Sequence, residues 1–527
     1  MKKFLILFLF CFPVIGFAQQ TNIPHNHANY YGFEGELNKP GVDFHTSIRP
    51  FMEGEVRAVT NYDSLSRFGY TNKKFANSMV GKKLLKQYFF QTKGEDYFLE
   101  LSPLFDLQYG KDFSNDSSLS VNTRGVQVSG SIGKKLSFYS SFYENQAKFP
   151  DYISDYAKEK QIVPGQGRIK AFKGSGFDFS QAFGYISYTP VKQFNVQLGH
   201  GKNFIGDGYR SLLLSDFAYS YPFLKLTTTF WKIRYVNLFT AFQSNVTLND
   251  NLASYPRKYG SFQYFDITIL KRIQLGLFEG IIWQANDIHL NYLNPLIFYR
   301  PIASSLNATN NAVIGANLKI KILKQTQVYG QFVLDDIDFK KIKEGKGYFS
   351  QKYGYQIGVK SFNVFGVKNL YVQAEYNQVR PYVYSHNKPL QSYSHYNEPL
   401  AHPLGANFRE AIGIIGYRWK DLSAELKFNY AVYGADTAMY SYGKNIFTSD
   451  YNAVNGIYSF GNSIGQGVKT TLIYAQFRLS YLINPKTNWN IFIEYTNRKQ
   501  STEYGEHTNS IFNIGMRTSL RNLYYDF

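Results

Sequence analysis

The residues best suited to chemistry lie in one stretch, FIGDGYRSLLLSDFAYSYP, from Phe204 to Pro222. Arg210 carries a planar guanidinium that can pair bidentately with a carboxylate such as that of a uronic acid. Asp207, Tyr209, Asp216 and Tyr219 supply further hydrogen-bonding groups, and a tyrosine adds an apolar ring face on which a sugar can lie. Gly206 and Gly208 give the backbone angles closed to other residues. The leucines Leu212, Leu213 and Leu214 stand where an ordinary solvent loop is polar. A loop with its own apolar core is expected to fold onto something, leaving its charged residues facing a ligand or charges on the surface that receives it.

Other constellations fail on spacing. His200, Asp207 and Ser211 are close in sequence, but a triad is a matter of geometry. Gly199-His200-Gly201-Lys202 lacks the second glycine and the Lys-Ser or Lys-Thr of a phosphate loop. Asp335, Asp336 and Asp338 have no glycine or distal glutamate to complete a calcium loop. His386, His395 and His402 match no zinc spacing. The expectation is a non-enzyme with no metal and no cofactor.

These loops need a scaffold, and the composition points to its kind. Of 527 residues, 18% are aromatic, with 45 Tyr and 46 Phe, while only 18% are charged. Mean hydropathy is −0.31, and no later stretch approaches the 18 apolar residues of a membrane helix. Residues 1–18 read as a secretory leader: Lys2 and Lys3, an apolar run from Phe4 to Ile15, then Gly16-Phe17-Ala18. The single cysteine, Cys11, lies inside it, so the exported chain has no disulfide. Net charge is +19, or +17 without Lys2 and Lys3, which suits anionic polysaccharide or lipid head groups. Export excludes nucleic acid as a partner.

From Asp96 onward the pattern has period two. Ile473, Ala475, Phe477, Leu479 and Tyr481 alternate with Gln476, Arg478 and Ser480. Leu422, Ala424, Leu426, Phe428 and Tyr430 alternate with Ser423, Glu425, Lys427 and Asn429. One apolar and one polar face over roughly 10 residues is the signature of a membrane barrel strand. Connection lengths then separate a barrel from a sandwich. Short turns at Gly133, Thr189, Trp231, Leu270, Leu323, Val364, Trp419 and Asn484 alternate with long connections near 147–176, 203–222, 245–258, 284–310, 336–351, 380–408, 434–467 and 498–509. The expected fold is all-β: a transmembrane antiparallel β-barrel of about 18 strands with short periplasmic turns and long extracellular loops. The expected division is a leader over 1–18, a periplasmic lead-in over 19–94 with an amphipathic helix within Asn72–Gln87, and the barrel over 95–527. The last strand sets Phe512, Ile514 and Met516 against Asn513 and Arg517, and the ending Leu523-Tyr524-Tyr525-Asp526-Phe527, with aromatics two apart, reads as a C-terminal barrel insertion signal rather than an ordinary final strand.

The run Gly206-Asp207-Gly208-Tyr209-Arg210-Ser211-Leu212-Leu213-Leu214-Ser215-Asp216, followed by Ala218 and Pro222, resembles the loop motif of the Wzi-type capsule-assembly barrels. It departs from that motif where the family has Trp-Gly-Pro-Gly and, after the leucines, an arginine. The same loop, with NPLIFYRP from Asn294 and AHPLGANFRE from Ala401, is similar to the RemB-type proteins of gliding bacteria. The resemblance implies an 18-stranded outer-membrane protein that binds or organises surface or capsular polysaccharide, touches outer-membrane lipid, and in the gliding setting meets motility or secretion machinery. It adds Arg300, His402 and Arg409 to the candidate polysaccharide contacts Asp207, Tyr209, Arg210, Asp216 and Tyr219. The competing expectation is a general diffusion porin, because 16 to 18 strands enclose an aqueous channel unless something fills it.

Overall fold

The computed structural model describes residues 20–66, 77–244, 255–285, 290–299, 301–302, 310–336, 339–453, 459–518 and 521–527. The leader proposed for 1–18 lies outside them. Eighteen long antiparallel strands close into a barrel. They are β1 (Tyr97–Asp112), β2 (Ser117–Ile132), β3 (Leu136–Lys148), β4 (Gly176–Val191), β5 (Phe194–Gly201), β6 (Tyr221–Phe230), β7 (Ile233–Gln243), β8 (Arg257–Leu270) and β9 (Ile273–Gln284). The rest are β10 (Asn311–Lys321), β11 (Thr326–Asp336), β12 (Lys352–Phe362), β13 (Leu370–Val379), β14 (Phe408–Trp419), β15 (Leu422–Ala435), β16 (Val468–Asn484), β17 (Trp489–Thr502) and β18 (Gly505–Arg517). Closure comes from β18 pairing with β1, Ile511 opposite Asp112 and Arg517 opposite Asp106. No sheet edge is left open along this seam.

The alternation works as the physics of lipid requires. On β16, Ile473, Phe477 and Tyr481 are 36–44% exposed, whereas Tyr474 between them is buried in the lumen. Comparable outward residues, such as Phe428, Phe332 and Ile357, continue the apolar belt around the wall. Exposed aromatics at the short turns, Trp231, Trp419 and Phe365, mark the interfacial girdle. A closed barrel with this belt is an outer-membrane barrel.

Two sequence expectations need correcting here. The connection near 498–509 is not a long loop: β17 and β18 continue as a ladder to a two-residue turn between Thr502 and Gly505. Thr508 opposite Lys499 and His507 opposite Gln500 extend the pairing beyond the apolar residues, which is why composition alone read it as a loop. The terminal aromatics also do not sit in the last strand, which ends at Arg517. Residues 521–527 turn into the lumen, where Asp526 is fully buried among basic partners that a lipid-facing strand does not offer.

The lead-in folds into short helices, α1 (His27–Tyr30), α2 (Glu34–Leu37), α3 (Glu53–Val59) and α4 (Tyr62–Ser66), around Tyr30, Phe33, Leu37, Phe51 and Val56. It packs against lumen-facing wall residues. Lys360 pairs with Glu34 at 3.0 Å, Ser47 donates to Asp266 at 2.6 Å, and Thr268 donates to Asp43 at 2.6 Å. The helix expected within 72–87 spans α5 (Met79–Leu85), capped by Ser78, and its neighbour Gln87 takes a bond from Asn484 at the periplasmic turn. Residues 72–76 of that stretch are outside the described set. On the outer side, α6 (Asp151–Lys160) lies over the barrel mouth.

Candidate functional site

The loop from Asn203 to Ser220 crosses the lumen, and nearly every residue in it is buried. Its conformation follows from a few local requirements. Gly206 has φ +147°, and a Cβ there would lie 2.4 Å from the Gln331 amide; at Gly208 a Cβ would meet the Glu375 carboxylate and the Arg210 carbonyl at 2.5 Å. Ser211 ties the turn together, donating to the Ile205 carbonyl at 2.6 Å and accepting from the N–H groups of Leu213 and Leu214. Leu212, Leu213 and Leu214 enter the main core with Leu238, Phe262, Phe278, Val313 and Val333. Each buried leucine contributes about 1.5–3 kcal/mol toward the cost of ordering the loop, the rest coming from its contacts with wall and loops.

Wall and loops then satisfy the polar backbone that this burial strands. Gln331 accepts from Leu212 N–H at 2.8 Å, and Gln356 donates to the Arg210 carbonyl at 3.0 Å. From the 380–408 loop, Tyr384 donates to the Leu212 carbonyl at 2.7 Å and Tyr393 to the Leu213 carbonyl at 2.6 Å. Glu375 accepts from the N–H groups of Tyr209 and Arg210.

The sequence candidates occupy different places. Arg210 is buried between Glu410 at 3.2 Å and Asp526 at 3.1 Å, with its guanidinium against the rings of Tyr209 and Tyr524. Tyr209 donates to Asp526 at 2.8 Å, and His402 completes the cluster on Glu410 at 2.6 Å. Asp207 accepts from Thr46 at 2.5 Å and Asn317 at 3.0 Å, with Lys319 at 3.7 Å. Burial alone would raise its carboxyl, but Lys319 and these donors hold it down at about 2. Asp216 takes Tyr524 at 2.7 Å, Asn522 at 3.0 Å and His25 at 3.0 Å. Tyr219 is half-buried at the upper face, its N–H donating to Glu398 at 2.9 Å. Arg409 is brought to none of these: it is exposed on β14, donating to Gln378 at 3.1 Å. Arg300 lies outside the described residues.

Above this plug lies an outward cleft of about 1000 Å³ that sequence reasoning did not find. Three of its cations lie on aromatic rings: Arg498 over Tyr152 at 4.3 Å, Lys444 over Tyr433 at 4.3 Å, and Lys160 over Phe447 at 5.2 Å. Tyr156 and Phe527, with ring centroids 5.1 Å apart, add further apolar faces. Asp155, Glu159 and Asp436 line the cleft beside these cations, so both signs of charge face it, and its ring faces suit a polyhydroxylated ligand. The helix Asp151–Lys160 was legible in the sequence, but its neighbours in the cleft come from segments near 433–447, 498 and 527, and no spacing links them. Among the described residues, no group of three or more His, Cys, Asp or Glu is placed to hold a metal ion.

No family model and no curated relative matches the chain. Among solved structures, the Pseudomonas aeruginosa outer-membrane protein OprD matches with TM-score 0.42 at 10% identity, over 80% of this chain and 94% of that one. That similarity is too loose to argue from. Wzi, an Escherichia coli outer-membrane protein described as a carbohydrate-binding β-barrel involved in group 1 capsule assembly, matches with TM-score 0.56 at 13% identity. The alignment covers 95% of this chain and all of the Wzi chain, so the two share their fold from the lead-in through the last strand.

Proposed function

We propose that this protein binds or organises cell-surface polysaccharide at the outer mouth of a plugged barrel, in a capsule-assembly or gliding-motility setting. One observation carries the reading: a cleft of about 1000 Å³, lined by aromatic rings and by charges of both signs, opens outward above a lumen crossed by buried inserts. The carbohydrate-binding description of Wzi is consistent with it. In this reading residues 1–18 are a leader, 19–94 a lead-in and 95–527 the barrel. Asp207, Tyr209, Arg210, Asp216 and His402 act by holding the floor of the cleft, and Tyr156 and Lys444 meet the glycan.

The test is polysaccharide retention on cells carrying Tyr156→Ala or Lys444→Ala in place of the wild type. Each change is expected to lower retention several-fold while the barrel stays heat-modifiable on gels. Unchanged surface polysaccharide and unchanged spreading, in these variants and in a deletion strain, would overturn the reading. A diffusion porin predicts instead a steady, large conductance from the purified wild type in planar bilayers.

A further inference from the structure

The plug does not fill the barrel evenly. Its charged anchors fall mainly on β8 and β10–β15, where Asp266 and Glu375 take plug hydrogen bonds and Lys319, Lys360, Glu410 and Lys427 take ion pairs. Two chambers nevertheless remain, of about 150 and 230 Å³, the upper one along β15–β18 and β1–β2 and the lower one along β12–β18. Each is several times the roughly 30 Å³ share of one water. The lower chamber reaches the periplasmic turns at Lys420, Asp421 and Asn488. Both are lined by Asn26, Tyr31, Glu425, Arg478 and Arg517, so they adjoin at that level. Arg478 pairs with Glu494, and Arg517 shares the Phe492 ring with it, the guanidiniums lying 5.2 and 5.0 Å from the ring centroid.

The upper chamber ends beneath α6 at Pro150, Tyr152 and Ile153. Of its lining residues, only Tyr152 also lines the outer cleft. Tyr152 is held across the junction by its hydroxyl, which donates to the Tyr525 carbonyl at 3.0 Å, and by the Arg498 guanidinium on its ring. Both contacts are side-chain contacts that a rotamer change breaks without moving a strand.

We propose that this line of chambers is a conduit for small hydrophilic solutes and ions beside the plug, stoppered at its outer end by Tyr152. The junction carries arginines and glutamates together, so it excludes neither sign of charge and selects by size. The conduit is a second activity, independent of whether the cleft above it takes polysaccharide.

Conductance of the full-length protein in planar bilayers in KCl, with liposome swelling in glucose, tests it. Wild type is expected to conduct little. Tyr152→Ala is expected to raise conductance at least five-fold and to admit glucose. Adding Asn513→Trp, on the wall of the upper chamber, is expected to bring both back to the wild-type level. If Tyr152→Ala in a heat-modifiable barrel conducts no more than wild type, the conduit is absent. If it conducts more but Asn513→Trp does not reverse the gain, the path lies elsewhere and the proposal fails.

Discussion

The wall and the plug are built of the same polar and aromatic residues but are held by different kinds of contact. In the wall each strand is paired with its sequence neighbour, as in the register Phe477 opposite Tyr495 or Ala424 opposite Leu479. Only one face of a wall residue must suit its surroundings, lipid outside or lumen inside. In the plug the partners are distant: Arg210 meets Glu410 and Asp526, and Asp216 meets Tyr524 and His25. Most polar atoms there are matched by specific ones, because little water reaches them. The wall therefore tolerates substitution within a class, whereas the plug depends on identity.

Arg210→Ala should widen that difference most. Removing one member of a buried ionic cluster leaves Glu410 and Asp526 facing each other, a loss on the order of 3–5 kcal/mol. Protease cleavage within 203–222 and loss of hydrogen-exchange protection there would report it, while heat-modifiability of the wall should not change. Equal loss of the wall would show that plug and barrel fold as one unit.

Leu213→Ala comes next, at about 2–5 kcal/mol, since Leu213 is completely buried and packs against Gly315 of the wall. The same readout applies. The matching wall change, Phe477→Ala on the lipid face, should leave loop protection untouched.

Acidification offers a milder contrast. Burial lowers His25, His27 and His402 below their ordinary value, and pushes His395 down to about 3. Groups whose folded value is depressed in this way are neutral in the plug and protonate more readily when it opens. Plug stability is therefore full above about pH 6.5 and falls as pH drops toward their folded values. Asp207, held at about 2, keeps its contribution through that window. Hydrogen exchange at pH 7 and pH 5 should show the loops 203–222 and 380–408 loosening while the strands do not. At the bottom of the scale, Lys499→Ala removes an exposed pair with Glu506 on the β17–β18 hairpin and should change neither wall nor plug measurably.

Strand existence, the closed wall and, up to the last hairpin, the alternation of connections were legible because a membrane imposes a period of two on every strand, and each residue's fate follows from its own polarity. The loop Phe204–Pro222 also announced itself, since three leucines in a polar context must be buried somewhere. The tail was misread for an instructive reason. Tyr524, Asp526 and their neighbours alternate like a strand, but Asp526 is anchored by Arg210 and Lys427, whose positions along the chain carry no trace of the meeting.

What the amino-acid order determined by itself is the barrel: its number of strands, its inward and outward faces, and the loop that leaves the wall. Where the lead-in, the 380–408 loop and residues 521–527 meet that loop was decided only in three dimensions, as was the lining of the outer cleft. Local periodicity encodes burial against a uniform medium such as lipid. A buried hydrogen-bonded cluster is assembled from residues hundreds of positions apart, and only the closed barrel brings them within bonding distance.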